Sequence, residues 1–245
     1  MRGRSPALNE EVFAREVGTS AEVMTIPDVV RACLALLTIL IITGALGWYW
    51  IGDPGAVVSA PVWFFGALIA AFAIGIVTVF RPKVAPFTAP AYAALEGLVV
   101  GAFSRIFEFE FEGIVLQAVG LTLGVFGVLL ALYASRLIKV TENFRLGVIA
   151  ATGAIFVVYL LNLILRFFGA EVPYIHDTGP VGIIISLVIV TVAALNLVLD
   201  FDFIEQAVND RAPRSMRWYA AFGLLVTIVW LYLELLRLLA KIRSN

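Results

Sequence analysis

Val181-Gly-Ile-Ile-Ile-Ser-Leu-Val-Ile-Val-Thr-Val-Ala-Ala-Leu-Asn-Leu-Val-Leu199 carries no charge from end to end. A helix of about 20 such residues crosses the roughly 30 Å hydrocarbon core of a bilayer and keeps every backbone polar group bonded within itself. The stretch therefore predicts a transmembrane helix. Similar runs recur at 29–50, 57–80, 85–107, 114–137, 147–168 and 218–239, so the chain reads as all-α: a polytopic membrane protein, a seven-transmembrane-helix bundle over 29–245. Composition agrees, with 62% apolar and 14% charged residues against roughly 25% charged in soluble domains.

The segments between the runs hold breakers and charges: Asp53-Pro54-Gly55, Arg81-Pro82-Lys83, Glu108 with Glu110 and Glu112, Lys139 to Arg145, Glu171 to Pro180, and Asp200 to Arg217. Short links make neighbouring helices antiparallel. Residues 1–28 form a polar N-terminal segment carrying Glu10, Glu11, Glu16, Glu22 and Asp28, unlike a cleavable signal peptide, which opens with a short basic stretch. Basic residues on alternate sides number twelve against two before the last span, which puts the N-terminus in the cytoplasm. Seven full crossings then leave Arg237, Lys241 and Arg243 outside, against the rule, and full crossing is still the favoured reading. Small residues at helical spacing, Ala93, Gly97 and Gly101 in the third run and Gly120 and Gly124 in the fourth, predict close helix packing within the bundle.

Several chemistries are excluded. One cysteine (Cys33) and one histidine (His176) cannot build a disulfide, a zinc site or a haem centre. The metal question stays open only for hard cations held by oxygen. There is no HExxH, no phosphate-binding GxxxxGK[ST] loop and no lysine within the last span for a retinal. No cofactor, enzymatic activity or nucleic-acid partner is implied.

What remains are carboxyls inside apolar runs. Glu96 lies mid-span, where an ionised carboxylate costs at least about 2.5 kcal/mol unless it is protonated, paired or wet. It is a candidate functional group, with an interhelical hydrogen bond as the structural alternative. Asp200 and Asp202 close the sixth run. Asn196 and Asp200 share a helix face, whereas Asp200 and Asp202 stand about 200° apart around the axis; Asp200 should face the bundle and Asp202 the headgroup region. Glu234 has Arg237 three residues on, which favours a local ion pair. Asn162 and Arg166 read as an interfacial anchor.

Three stretches carry a resemblance. Ala91-Tyr-Ala-Ala-Leu-Glu-Gly-Leu-Val-Val-Gly-Ala-Phe-Ser104, Leu197-Val-Leu-Asp-Phe-Asp-Phe203 and Leu231-Tyr-Leu-Glu-Leu-Leu-Arg237 resemble the Bax inhibitor-1/YccA-like (transmembrane Bax inhibitor motif) family over residues 29 to 243. Ser5-Pro-Ala-Leu-Asn-Glu-Glu-Val-Phe13 resembles bacterial members, which implies a bacterial plasma membrane. The resemblance implies a seven-helix fold with a central last helix and, in some members, a pH-sensitive calcium leak sensed by paired aspartates on the sixth and seventh helices. Asp200 matches the first. The second falls on Glu234 by one alignment and on Thr227 by another; in the latter case Asp202 or Glu96 would supply the second carboxylate. Two functions follow as expectations: a cation conduit gated by intramembrane carboxylates, or a non-conducting protein that docks on a membrane-protein partner, modulating a protease or a stress response, with its N-terminal segment as the recognition tail.

Overall fold

The computed structural model describes residues 22–53, 61–169 and 179–245. Seven long helices account for most of them: α1 Ile26–Trp50, α2 Val62–Phe80, α3 Ala85–Glu110, α4 Ile114–Ala134, α5 Glu142–Phe167, α6 Pro180–Asn209 and α7 Arg217–Arg243. Short 3-10 turns at Pro82–Val84 and Arg214–Met216 lead into α3 and α7. All seven helices are long and apolar enough to cross a membrane. His176 and residues 1–21 lie outside the described residues, as does the side chain of Arg166.

α7 is the axis of the bundle. It packs against α1, α3, α4 and α6, and 67% of its most apolar window is buried, against 11% for α5, which leans chiefly on α6. The expected central last helix is therefore present. α1, α3, α5 and α7 begin at one end of the bundle, where Ala85 shares a core cluster with Met24 and Ala212 and Arg145 meets Asp202 in the last turns of α6; this is the N-terminal end, and the other is the far end.

Contact between α1 and α3 is set by glycine. A Cβ at Gly101 would lie 1.9 Å from the Gly44 carbonyl oxygen, and one at Gly97 2.0 Å from Thr43 Oγ1. With nothing to gain from burying apolar surface away from lipid, helices associate through such close backbone packing. Gly120 and Gly124 do not do the same: nothing lies within 4 Å of a Cβ at either position, and both are exposed on α4. The turn between α3 and α4 uses Gly113 in the left-handed region, φ 77°. The Glu108 carboxylate accepts from Gly113 N at 2.7 Å and Val115 N at 3.0 Å, satisfying the free N–H groups that open α4 and placing a negative charge at its positive end.

The largest departure from the predicted boundaries is α6, which continues ten residues past Leu199 to Asn209. The charges at Asp200 and Asp202 do not end it, because Phe201, Phe203, Ile204 and Ala207 continue its buried surface. At about 1.5 Å per residue this helix exceeds a roughly 30 Å hydrocarbon core, so its last turns project at the N-terminal end. There the chain is strapped down: Met24 N donates to Ala212 O at 2.8 Å, Val23 bridges Pro213, and Arg214 pairs with both Glu22 and Asp28. Met24 itself is fully buried, so residues 22–28 belong to the packed body rather than to a free polar tail.

Candidate functional site

Asp200 lies on α6 with 1% of its surface exposed. The Thr227 hydroxyl of α7 is its hydrogen-bond partner, and Cys33 of α1 lies close enough to sense its charge. Its second oxygen, Oδ2, has no partner. Thr227 is ten residues from the start of α7, about 15 Å along the axis, which sets Asp200 near the middle of the bundle's height. Thr227 also approaches Gly223 O at 3.3 Å. A hydroxyl has one proton to donate. Thr227 therefore has a single proton to place between the Gly223 carbonyl and the Asp200 carboxyl.

A line of polar groups runs from this point toward the far end. Asn196, one turn back on α6, donates to Thr152 Oγ1 of α5 and to Val192 O, both at 2.8 Å. Thr152 and Tyr159 are two turns apart on α5, as are Thr227 and Glu234 on α7, so each pair shares a face. Glu234, 1% exposed, accepts from the Tyr159 hydroxyl at 3.0 and 3.1 Å and from Arg237 at 2.9 Å. The Arg237 guanidinium also stands over the Tyr159 ring, 5.6 Å from its centroid. Beyond this cluster a cavity of about 330 Å³ opens among α3, α5, α6 and α7, lined by Glu110, Tyr159, Ser186, Glu234, Arg237 and Lys241 with apolar neighbours.

The structure thus sets Thr227, not Glu234, opposite Asp200. Glu234 lies two turns further along α7, in the ion pair with Arg237 that its spacing predicted. Glu96, half-buried on α3, bonds within its own helix to the hydroxyl of Tyr92, whose ring packs edge-on against Phe222 of α7 at 5.0 Å. Asp202 points away from Asp200, as its angle requires, and is not left to headgroups: it accepts from Arg145 at 2.7 Å and Gln206 at 2.6 Å. Tyr133 ties it to Glu205, which also binds Arg136. Outside the helices, Arg136 is raised above its ordinary guanidinium value by that Glu205 carboxylate. These links fasten the α4–α5 connection to the end of α6. Among the described residues no three of His, Cys, Asp and Glu gather as a metal cage.

The sequence reading missed Tyr159, Thr152 and the Glu205–Arg136–Tyr133 set. A tyrosine or threonine in an apolar run is ordinary in itself; only the seven-residue spacing of Thr152 and Tyr159 on α5, repeated by Thr227 and Glu234 on α7, carries a signal.

Fold and site together define a multi-pass membrane protein whose mid-span carboxyls are held on its inner helices. The chain belongs to the Bax inhibitor 1 like family, whose model matches residues 5–244. A search of curated proteins finds no match.

Proposed function

We propose that this protein is a pH-sensitive cation leak of the plasma membrane, passing calcium or a similar cation with its N-terminus in the cytoplasm, and that intramembrane carboxylates rather than any catalytic step set its conductance. One observation carries the reading: a fully buried carboxyl, Asp200, with an unpartnered oxygen, stands at the inner end of a polar line that leads through Asn196, Thr152, Tyr159 and Glu234 to the far-end cavity. Oxygen groups of this kind suit a hard cation, and a proton added to or taken from Asp200 reorders the Thr227 and Gly223 contacts that close the line at its other end. Between Asp200 and the N-terminal end, Met24 and its apolar neighbours fill the bundle. The closed state is therefore sealed on that side, and conduction requires the strap or the α6–α7 contact to loosen.

The test is calcium flux into proteoliposomes of the full chain between about pH 6 and about pH 8, a window wide enough to change the ionisation of a perturbed carboxyl. The parent is compared with Asp200→Asn, Glu96→Gln and Glu234→Gln. Flux that varies with pH in the parent and loses that variation in Asp200→Asn is the expected result. Flux no greater than that of empty liposomes at every pH sinks the leak and leaves the non-conducting interaction role. Deleting residues 1–21 then tests that role, because cutting as far as residue 28 would also remove the strap.

A further inference from the structure

We propose that Arg31, Arg214 and Arg217 form a binding site for the phosphate of an anionic phospholipid headgroup in the leaflet at the N-terminal end. A second cavity, about 300 Å³, lies between the first turns of α1 and the entry to α7 and is lined by Asp28, Arg31, Ala35, Arg214, Arg217 and Trp218, together with Ala32. Three guanidiniums face one carboxylate. Asp28 is engaged by Arg214 at 3.2 Å, and Glu22 holds the same arginine from outside the cavity. Arg31 and Arg217 have no carboxylate partner among the described residues. A concave site with two guanidiniums not engaged by a carboxylate is left, and it takes an anion.

Its place in the fold makes that anion a lipid. Arg31 is the sixth residue of α1, and its neighbours Val30 and Leu34 are 49% and 59% exposed on the outer face of the bundle. The cavity therefore opens sideways where apolar surface begins, with the Ala32 and Ala35 side of α1 beneath it, rather than onto the aqueous end face. Trp218 stands at its edge with the Arg217 guanidinium 5.8 Å from its ring centroid. Tryptophan favours the headgroup level. The 3-10 turn Arg214–Met216 runs directly into α7, so the positive end of the helix dipole lies at Arg214 and adds to the arginines. A guanidinium fork matches the paired oxygens of a phosphate better than an ammonium does, and every cation in this cavity is an arginine. Acyl chains attached to a phosphate seated here would run down the Val30 and Leu34 face.

Native mass spectrometry of the full-length protein in mild detergent, titrated with dioleoyl phosphatidylglycerol, dioleoyl phosphatidylcholine and sn-glycerol 3-phosphate, tests this. Phosphatidylglycerol is expected to bind about tenfold or more tightly than phosphatidylcholine, and Arg31→Gln with Arg217→Gln is expected to erase that preference, since each basic residue near an anionic surface contributes a several-fold factor. The charge-keeping pair Arg31→Lys with Arg217→Lys retains most of it. Arg105→Gln, at the far end against Trp48, leaves it unchanged. If the glutamine pair does not fold, Arg31→Gln alone is expected to lose about half of the preference on a logarithmic scale. A glutamine variant that folds and keeps the preference, or a parent with no preference, overturns the proposal. Displacement of phosphatidylglycerol by an equal concentration of glycerol phosphate assigns the site to a free phosphate and overturns the lipid as its source.

Discussion

Replacing Arg237 with alanine removes the cation from a carboxylate that has almost no access to water. The pair is 2.9 Å apart, with side-chain exposures of 45% for Arg237 and 2% for Glu234. At an effective dielectric of about 20 the bare attraction is about 6 kcal/mol. Water around the half-exposed guanidinium screens most of that, and an exposed pair is worth only about 1 kcal/mol. The group left behind decides the outcome: a buried charge stripped of its partner costs about 3–5 kcal/mol, reduced by the about 1.5 kcal/mol or more that a hydrogen bond to a charged group returns, here from Tyr159. Arg237→Ala should therefore destabilise by about 2 kcal/mol. Glu234→Gln should cost about 1 kcal/mol, because the arginine it releases is already half in water. The double variant should resemble Glu234→Gln, giving a coupling of about 1–2 kcal/mol. Chemical unfolding of the four proteins in one detergent measures all three values. The reasoning fails if Glu234→Gln costs more than Arg237→Ala, or if the coupling lies within about 0.3 kcal/mol of zero.

Two glycine substitutions should behave in opposite ways. In Gly101→Ala the added Cβ, 1.9 Å from the Gly44 carbonyl oxygen in the unshifted backbone, must be carried to at least the 3.4 Å of an ordinary contact, 1.5 Å further, which should cost at least about 1–3 kcal/mol. Gly120→Ala meets nothing within 4 Å and should stabilise α4 by up to about 1 kcal/mol through helix propensity; the same unfolding assay reads both. Thr227→Asp sets a second carboxyl against Asp200. Two acids at one site titrate as a coupled pair, so the flux of this variant should acquire a second pH-dependent step; a profile identical to the parent's would mean that the Asp200–Thr227 contact does not control conduction.

The number of helices and their order were legible because each span announces itself through length and lack of charge. What faces what was only partly legible. Asp200 could be turned inward from the Asn196 spacing alone, and Glu234 could be paired with Arg237 from theirs. The partner of Asp200 could not be fixed, because Thr227 and Glu234 are two turns apart on one face and the sequence offers both. Asp202 and Arg145 each read as the polar end of a span; that they meet depends on how α5 leans on α6, which no local pattern records. The end of α6 was misplaced for a related reason. Hydropathy averages over the whole circumference, so the acidic residues Asp200, Asp202 and Glu205 hid the apolar side formed by Phe203, Ile204 and Ala207. The glycines of α4 misled because small-residue spacing describes one surface and says nothing about whether a partner is present.

In a bilayer the apolar helix is the one lipid tolerates, so a lower mean hydropathy is a cue for the inside rather than against it. α3 and α7 have the lowest values, 1.2 and 1.9, and are 44% and 67% buried, whereas α5 at 2.4 is 11% buried. α6 breaks the trend at 2.7 and 50%. It does so because its polar positions, Ser186, Asn196 and Asp200, are gathered on one buried side while the rest of its circumference is apolar. Averaging conceals such a helix; the periodicity of its few polar residues reveals it. Glu96, Asp200 and Glu234 sit on α3, α6 and α7, the three most buried helices. A carboxyl in mid-membrane is kept only where hydrogen bonds or a counter-charge reach it: Thr227 of α7 serves Asp200, Tyr159 of α5 with Arg237 serves Glu234, and Tyr92 of its own helix serves Glu96.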